Sequence, residues 1–174
     1  MAHNIYMENN TNETLNCSIA VALAVIGDIW STKILRDFAI FGGTRRFEQL
    51  REALGISRNV LTERLRTLHE QGIVKKCPIE EGARRMEYKL TRKGWELLPM
   101  LLATHQWCEK WREDPSNSAL QFIDLENGEE IAPIGIYSTT GKLLGPPDLR
   151  VRPRTEKAAK YLEDYKTDKK HKPK

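Results

Sequence analysis

The segment Gly55-Ile-Ser57-Arg58-Asn59-Val-Leu61-Thr62-Glu63-Arg64-Leu65-Arg66-Thr-Leu68-His-Glu-Gln-Gly72 carries one helix with both of its ends specified. At about 100° per residue, Leu61, Leu65 and Leu68 fall on one stripe. Asn59, Glu63, Arg66 and Glu70 fall opposite, with Arg58 and Thr62 on one flank and Arg64 on the other. Gly55-Ile56-Ser57 predicts a tight turn, with Ser57 as the N-cap of a helix over 58–71. Gly72 supplies the left-handed closing residue, and Ile73 can fold back onto Leu68, the apolar contact of a Schellman motif. The leucine stripe anchors this helix, and a polar face near its N-terminus looks outward.

Upstream, Arg45-Arg46-Phe47-Glu-Gln-Leu50-Arg-Glu-Ala-Leu54 predicts a short amphipathic helix with Phe47, Leu50 and Leu54 inward. Gly42-Gly43 ends an earlier helix over about 29–41, in which Trp30, Ile34, Leu35, Phe38 and Phe41 keep helical spacing. Gly27-Asp28 separates that helix from the apolar run Ile19-Ala-Val-Ala-Leu-Ala-Val-Ile26, for which Ser18 or Asn16 is a candidate cap. Residues 1–14 are polar and Asn-rich and read as a flexible arm.

Downstream, 73–79 and 86–90 predict two strands around the loop 80–85, with Met86, Tyr88 and Leu90 alternating onto one face. Thr91 is expected to cap a single long helix to about residue 112, and Asp114-Pro-Ser-Asn-Ser118 breaks the chain. Beyond it lies a small β-prone extension, 119–153, with turn signals at Asn127-Gly128, Thr140-Gly141 and Gly145-Pro-Pro147. Residues 154–174 read as a basic tail without fixed structure. The main domain is therefore 15–113.

Hydrophobic residues make up 40% of the chain, enough for a core, and the net charge of +4 permits nucleic-acid binding without demanding it. Cys17, Cys77 and Cys108 are widely spaced and form no C-x-x-C pair, which argues against a disulfide framework or a zinc site and favours a reducing cytoplasm. The run 19–26 is too short to span a bilayer, so no membrane is expected as a partner. No catalytic triad, phosphate loop or metal set stands out; neither an enzyme nor a cofactor is expected.

Two short helices joined by a Gly-containing turn, then a two-stranded loop, is the order of a winged helix-turn-helix. The expected fold class is mainly α with a small β wing and a β-rich C-terminal appendage. Arg, Asn and Thr on the outward face of the second helix suit major-groove readout. The candidate recognition set is Ser57, Arg58, Asn59, Thr62, Glu63, Arg64 and Arg66. Arg45, Arg46, Lys76, Arg84 and Arg85, with Lys75 beside them, are candidates for backbone and wing contacts. Trp30, Phe38, Phe41 and Trp95 are aromatic candidates for lining an effector pocket. The competing reading is a winged helix used as a protein-interaction module. Arginines at both the motif helix and the wing favour double-stranded DNA.

Taken together, Gly27-Asp-Ile-Trp30, Ile34-Leu-Arg36, Arg45-Arg-Phe47-Glu-Gln-Leu50, Gly55-Ile-Ser57, Val60-Leu-Thr62-Glu-Arg64-Leu-Arg-Thr-Leu68, Gln71-Gly-Ile-Val74, Arg85-Met-Glu-Tyr88-Lys-Leu-Thr91 and Gly94 resemble the HxlR family, which is similar in fold to MarR-type regulators. The resemblance covers residues 17–111. It implies a homodimeric transcriptional regulator, here expected to be a repressor on a pseudo-palindromic operator, with an interface built from the helix 18–26 and the helix 91–112. It also marks Cys17 as a candidate redox sensor, because a helix N-terminus favours the reactive thiolate. This chain departs from the family where Arg58 and Asn59 stand at positions often held by Pro and Lys, and where the wing reads Glu80-Glu-Gly-Ala-Arg84 without prolines.

Overall fold

The computed structural model describes residues 17–80, 83–114 and 119–169; the expected N-terminal arm lies outside them. Helix α1 (Ser18–Ile26) is followed, after Gly27, by α2 (Ile29–Ile40). The two meet at a bend of 80°, and among the described residues no single helix is long and apolar enough to cross a membrane. Asp28 makes the corner. Its carboxylate accepts from the amides of Trp30 and Ser31, both at 3.0 Å, satisfying two of the unpaired donors that open any helix. Cys17, rather than Ser18 or Asn16, occupies the N-cap of α1, and its side chain makes no capping bond.

The stretch 42–45 differs from the sequence expectation. Gly42 and Gly43 turn the chain with φ of 70° and 80°. Thr44–Arg45 then forms a two-residue strand, β1, so the next helix, α3 (Phe47–Leu54), starts two residues later than expected. Gly55 closes α3 in the left-handed conformation, and Ser57 caps α4 (Arg58–Glu70) by accepting from the Val60 amide. Leu61, Leu65 and Leu68 are fully buried, as their spacing predicts. At the far end the Ile73 amide donates to Leu68 O and the Gly72 amide to His69 O, both at 2.9 Å, completing the Schellman motif.

Strands β2 (Val74–Pro78) and β3 (Met86–Leu90) follow, and the sheet order β1-β3-β2 places β3 in the centre, antiparallel to both neighbours. Leu90 and Val74 enter the core, but Met86 is exposed and Glu87 is buried beside Lys89 at 2.9 Å. The alternation holds only where β3 overlies the helices; Met86 lies near the hairpin tip. The core gathers Ile34, Leu35 and Phe38 of α2, Leu50 of α3, the three leucines of α4, and Ile73, Val74 and Leu90.

The expected single helix 91–112 is two. Thr91 caps α5 (Arg92–Trp95), and α6 (Leu98–Trp111) begins afresh with Pro99 in its first turn. Pro tolerates that position because it has no N–H to leave unpaired. The C-terminal appendage is sparser than expected. Around Asn127-Gly128 an isolated Ile123–Glu130 bridge forms in place of named strands, while β4 (Ile136–Tyr137) and β5 (Leu143–Leu144) make a short hairpin. The Gln106 side chain of α6 holds the appendage, donating to Ala132 O at 3.1 Å and accepting from the Ile134 amide at 2.8 Å. His105 packs edge-on against Phe122. Much of the segment expected to be an unstructured tail is helical, as α7 (Glu156–Lys169), where Ala, Lys, Glu and Leu supply high helix propensity; residues 170–174 lie outside the described residues.

Candidate nucleic-acid interface

The leading turn of α4 is open. Arg58, Asn59 and Thr62 are exposed, the first and last on the flank of the leucine stripe, and Ser57 is spent on the cap. Arg58 bonds the Glu48 carboxylate of α3, and its guanidinium lies over the Phe47 ring at 5.1 Å. The N-termini of α3 and α4 therefore meet.

The sheet brings the wing to the same end. Arg45 pairs with Tyr88, which pairs in turn with Lys76. Because β1 runs antiparallel to β3, the chain leaves β1 toward the hairpin tip, and Arg46, exposed at the N-cap of α3, departs on that side. Arg84 and Arg85 stand exposed at the tip, about three residues, or roughly 10 Å, beyond Tyr88 along an extended strand. Arg46 and Arg58 thus stand at the joined N-termini of α3 and α4, and Arg84 and Arg85 stand at the hairpin end toward which the chain leaves β1. Lys75 and Lys76, adjacent on a strand, point to opposite faces; Lys76, 6.0 Å from the Tyr88 ring, is the one on the Arg45 face.

Three of the expected cations are placed differently. Arg45 is nearly buried, its Nε 2.6 Å from the Asp37 carboxylate and its guanidinium over Phe41 at 4.1 Å. It ties the sheet to α2. Arg64 turns back to Asp28, 3.5 Å away. Arg66 is gripped by two carboxylates, with Nη2 and Nε on Glu63 at 2.7 and 3.1 Å and Nη1 on Glu70. The hydrogen bonds of Glu63 and then Glu70 raise the Arg66 pKa further, and the bond from Arg66 holds the Glu63 carboxyl below its ordinary range. Their mutual neutralisation leaves the outward face of α4 polar toward its N-terminus and internally paired toward its middle. The partners Asp28, Asp37 and Glu48 are functional neighbours that sequence reasoning missed; only the Arg66 triad carries a local signal, its carboxylates standing three residues before and four after it.

Burial pushes the Asp28 carboxyl up, but hydrogen bonds from Ser31, the charge of Arg64 and the Trp30 amide together hold it below its ordinary value of 3.8. A lowered folded-state pKa means that the stabilisation is complete above that ordinary value and is lost as pH falls through the lower one. Asp28→Ala should therefore cost about 0.5–2 kcal/mol at pH 7. Urea unfolding should show the gap to wild type closing in acid.

Cys17 is exposed at the mouth of α1. Cys77 is half-buried and Cys108 exposed. Of the expected pocket aromatics, Phe38 is fully buried in the core, Trp30 packs against that core, Phe41 lies under Arg45, and Trp95 packs against Gly43. A groove of about 360 Å³ lies elsewhere, between Val21, Val25 and Ile26 of α1 and Ile73, Lys93 and Leu97. Among the described residues no group of His, Cys, Asp and Glu could hold a metal.

Helix, tight turn, helix and a basic two-stranded wing define a winged helix-turn-helix regulator of transcription. Comparison with known proteins agrees. Residues 25–116 match the HxlR-like helix-turn-helix family model. The HTH-type transcriptional regulator Mb3122 of Mycobacterium bovis is 34% identical over 125 residues, 72% of this chain and 78% of the relative. YvaP of Bacillus subtilis, another HTH-type regulator, is 38% identical over 96 residues, 55% of this chain and 86% of the relative. Among solved structures, PA1607, assigned as a transcription factor, superposes with a TM-score of 0.71 at 37% identity, over 78% of this chain and 94% of that one. PA1374 of Pseudomonas aeruginosa, assigned likewise, gives 0.57 at 26% identity, over 84% and 100%. The chain belongs to the HxlR-like helix-turn-helix family, whose members are DNA-binding transcriptional regulators and not enzymes.

Proposed function

We propose that the protein acts as a homodimer that reads a two-fold related operator with the leading turns of α4, while Arg46 and the wing arginines hold the flanking phosphates. The observation that carries this reading is the apolar surface left uncovered on α1 and α6. Ile19 and Leu23 of α1 are 70% and 53% exposed, and Trp107 and Trp111 of α6 are 65% and 68% exposed. None of the residues of α6 is buried. Apolar surface on this scale is stable in water when a second copy covers it. A two-fold dimer would present two α4 helices to successive major grooves, about 34–36 Å apart.

Charge placed in the centre of that surface tests the reading. Leu23→Glu combined with Trp107→Glu should turn a species of twice the 20.1 kDa chain mass into one of 20.1 kDa in analytical ultracentrifugation. Affinity for a full operator should fall to that for a half-site. A wild-type protein that sediments as a monomer while bound to duplex would refute the dimer.

A further inference from the structure

We infer that Arg58 is the guanine-reading residue of the recognition helix, and that Glu48 and Phe47 are positioning residues that hold its guanidinium ready for a base edge. This inference rests on the DNA-binding reading above and assigns the readout within it. Of the three arginines on α4, two are committed elsewhere: Arg64 to Asp28, and Arg66 to Glu63 and Glu70. Arg58 alone stands in the first turn, the part of a recognition helix that reaches base edges. A cation there is opposed by the positive end of the helix dipole, so local helix energetics give no reason for its presence. Residues that break a local rule cluster at functional positions.

The surroundings of Arg58 fix its direction. Its guanidinium lies over the Phe47 ring, 5.1 Å from the centroid, which limits where the side chain can swing. Nη2 donates to Glu48 Oε1, which restricts its rotation. Glu48 is itself fixed, because its other oxygen accepts from Arg51 Nε at 2.6 Å, and these two arginines, Arg51 first, hold the carboxyl below its ordinary range. The side chain of Arg58 remains 65% exposed, and its other donors have no partner among the described residues. A guanidinium held on one edge and open on the other suits O6 and N7 of a guanine, which accept two parallel bonds. Ordering a long side chain before binding lowers the entropic cost of the binding step. A phosphate, approachable from many directions, gains less from that order.

The test is selection of binding sites from a randomised duplex pool by the full-length wild type, Arg58→Lys, Arg58→Ala and Glu48→Ala. Affinity for the selected duplex and for an unrelated one is measured by fluorescence anisotropy, with thermal unfolding as a check on folding. All three substitutions are at exposed positions. Wild type should enrich guanine at one two-fold related pair of positions, by roughly five- to a hundredfold. Arg58→Ala should lose that enrichment and keep the rest of the consensus, while Arg58→Lys, which keeps the charge but not the planar fork, should weaken it and retain affinity for the unrelated duplex. Glu48→Ala should keep the consensus, weaken the guanine preference several-fold and bind the unrelated duplex more tightly. Enrichment untouched by Arg58→Ala would overturn the inference, and an equal loss of affinity for both duplexes in that variant would make Arg58 a phosphate contact. Equal gains on both duplexes in Glu48→Ala would make Glu48 a simple repulsive charge and overturn its positioning role. A wild type that binds duplex but selects no sequence would overturn the inference alone, and one that binds no duplex would remove the DNA-binding reading as well.

Discussion

Replacing Asp37 by alanine is expected to destabilise the domain by about 3–5 kcal/mol, the cost of leaving one member of a buried ion pair without its partner. Asp37 and Arg45 meet at 2.6 Å, with side chains 4% and 12% exposed, in the seam between α2 and β1. Arg45 also lies over Phe41, so it closes the seam with its stem and its charge. Loss of the pair should loosen β1 from α2 and, through the Arg45–Tyr88 pairing, the wing from the helices. Urea denaturation of Asp37→Ala and Arg45→Ala should show large, similar losses, and the double variant should be far less than additive. The same experiment separates two roles for Arg45. A phosphate contact would lose affinity and salt dependence with stability intact; a seam residue loses stability first.

The second large effect concerns the wing. Arg84→Ala combined with Arg85→Ala is expected to weaken binding to every duplex about ten- to hundredfold, as charge-assisted hydrogen bonds of about 1.5–3 kcal/mol each would imply after partial compensation. The slope of log K against log salt should become shallower by about 2 for each wing that contacts two phosphates. Thermal stability should stay within about 0.5 kcal/mol of wild type, since both side chains are exposed and away from the core. Anisotropy titrations at several salt concentrations measure both quantities. An unchanged slope would take the wing off the DNA.

The helix 58–70 was legible because its information is local. The leucine stripe, the Ser57 cap and the Gly72-Ile73 closure all lie within one continuous segment, and each reappears in the structure. The family pattern was legible for the same reason. What escaped was set by partners distant in sequence. A two-residue strand such as β1 has no period to detect and exists because β3 pairs with it. The break between α5 and α6 hinges on Pro99, which a long apolar-rich segment masked. Most of all, the charge pattern alone could not sort the arginines. Arg45, Arg58, Arg64 and Arg66 are equivalent as letters, yet the fold delivers Asp37 to the first, Glu48 to the second, Asp28 to the third and two carboxylates to the fourth. The candidate surface is thereby narrower than the sequence implied, with Arg46, Arg58, Asn59, Thr62, Arg84 and Arg85 at its centre.

Anisotropy of a labelled operator-length duplex titrated with the wild-type protein, repeated from low to physiological salt, tests the central claim most directly. Arg46, Arg84 and Arg85 from each of two protomers give six phosphate contacts, so log K should fall linearly with log salt at a slope of about −5. Saturation should come at two chains per duplex. Failure to bind any duplex at low salt, or binding indifferent to salt, would contradict the account.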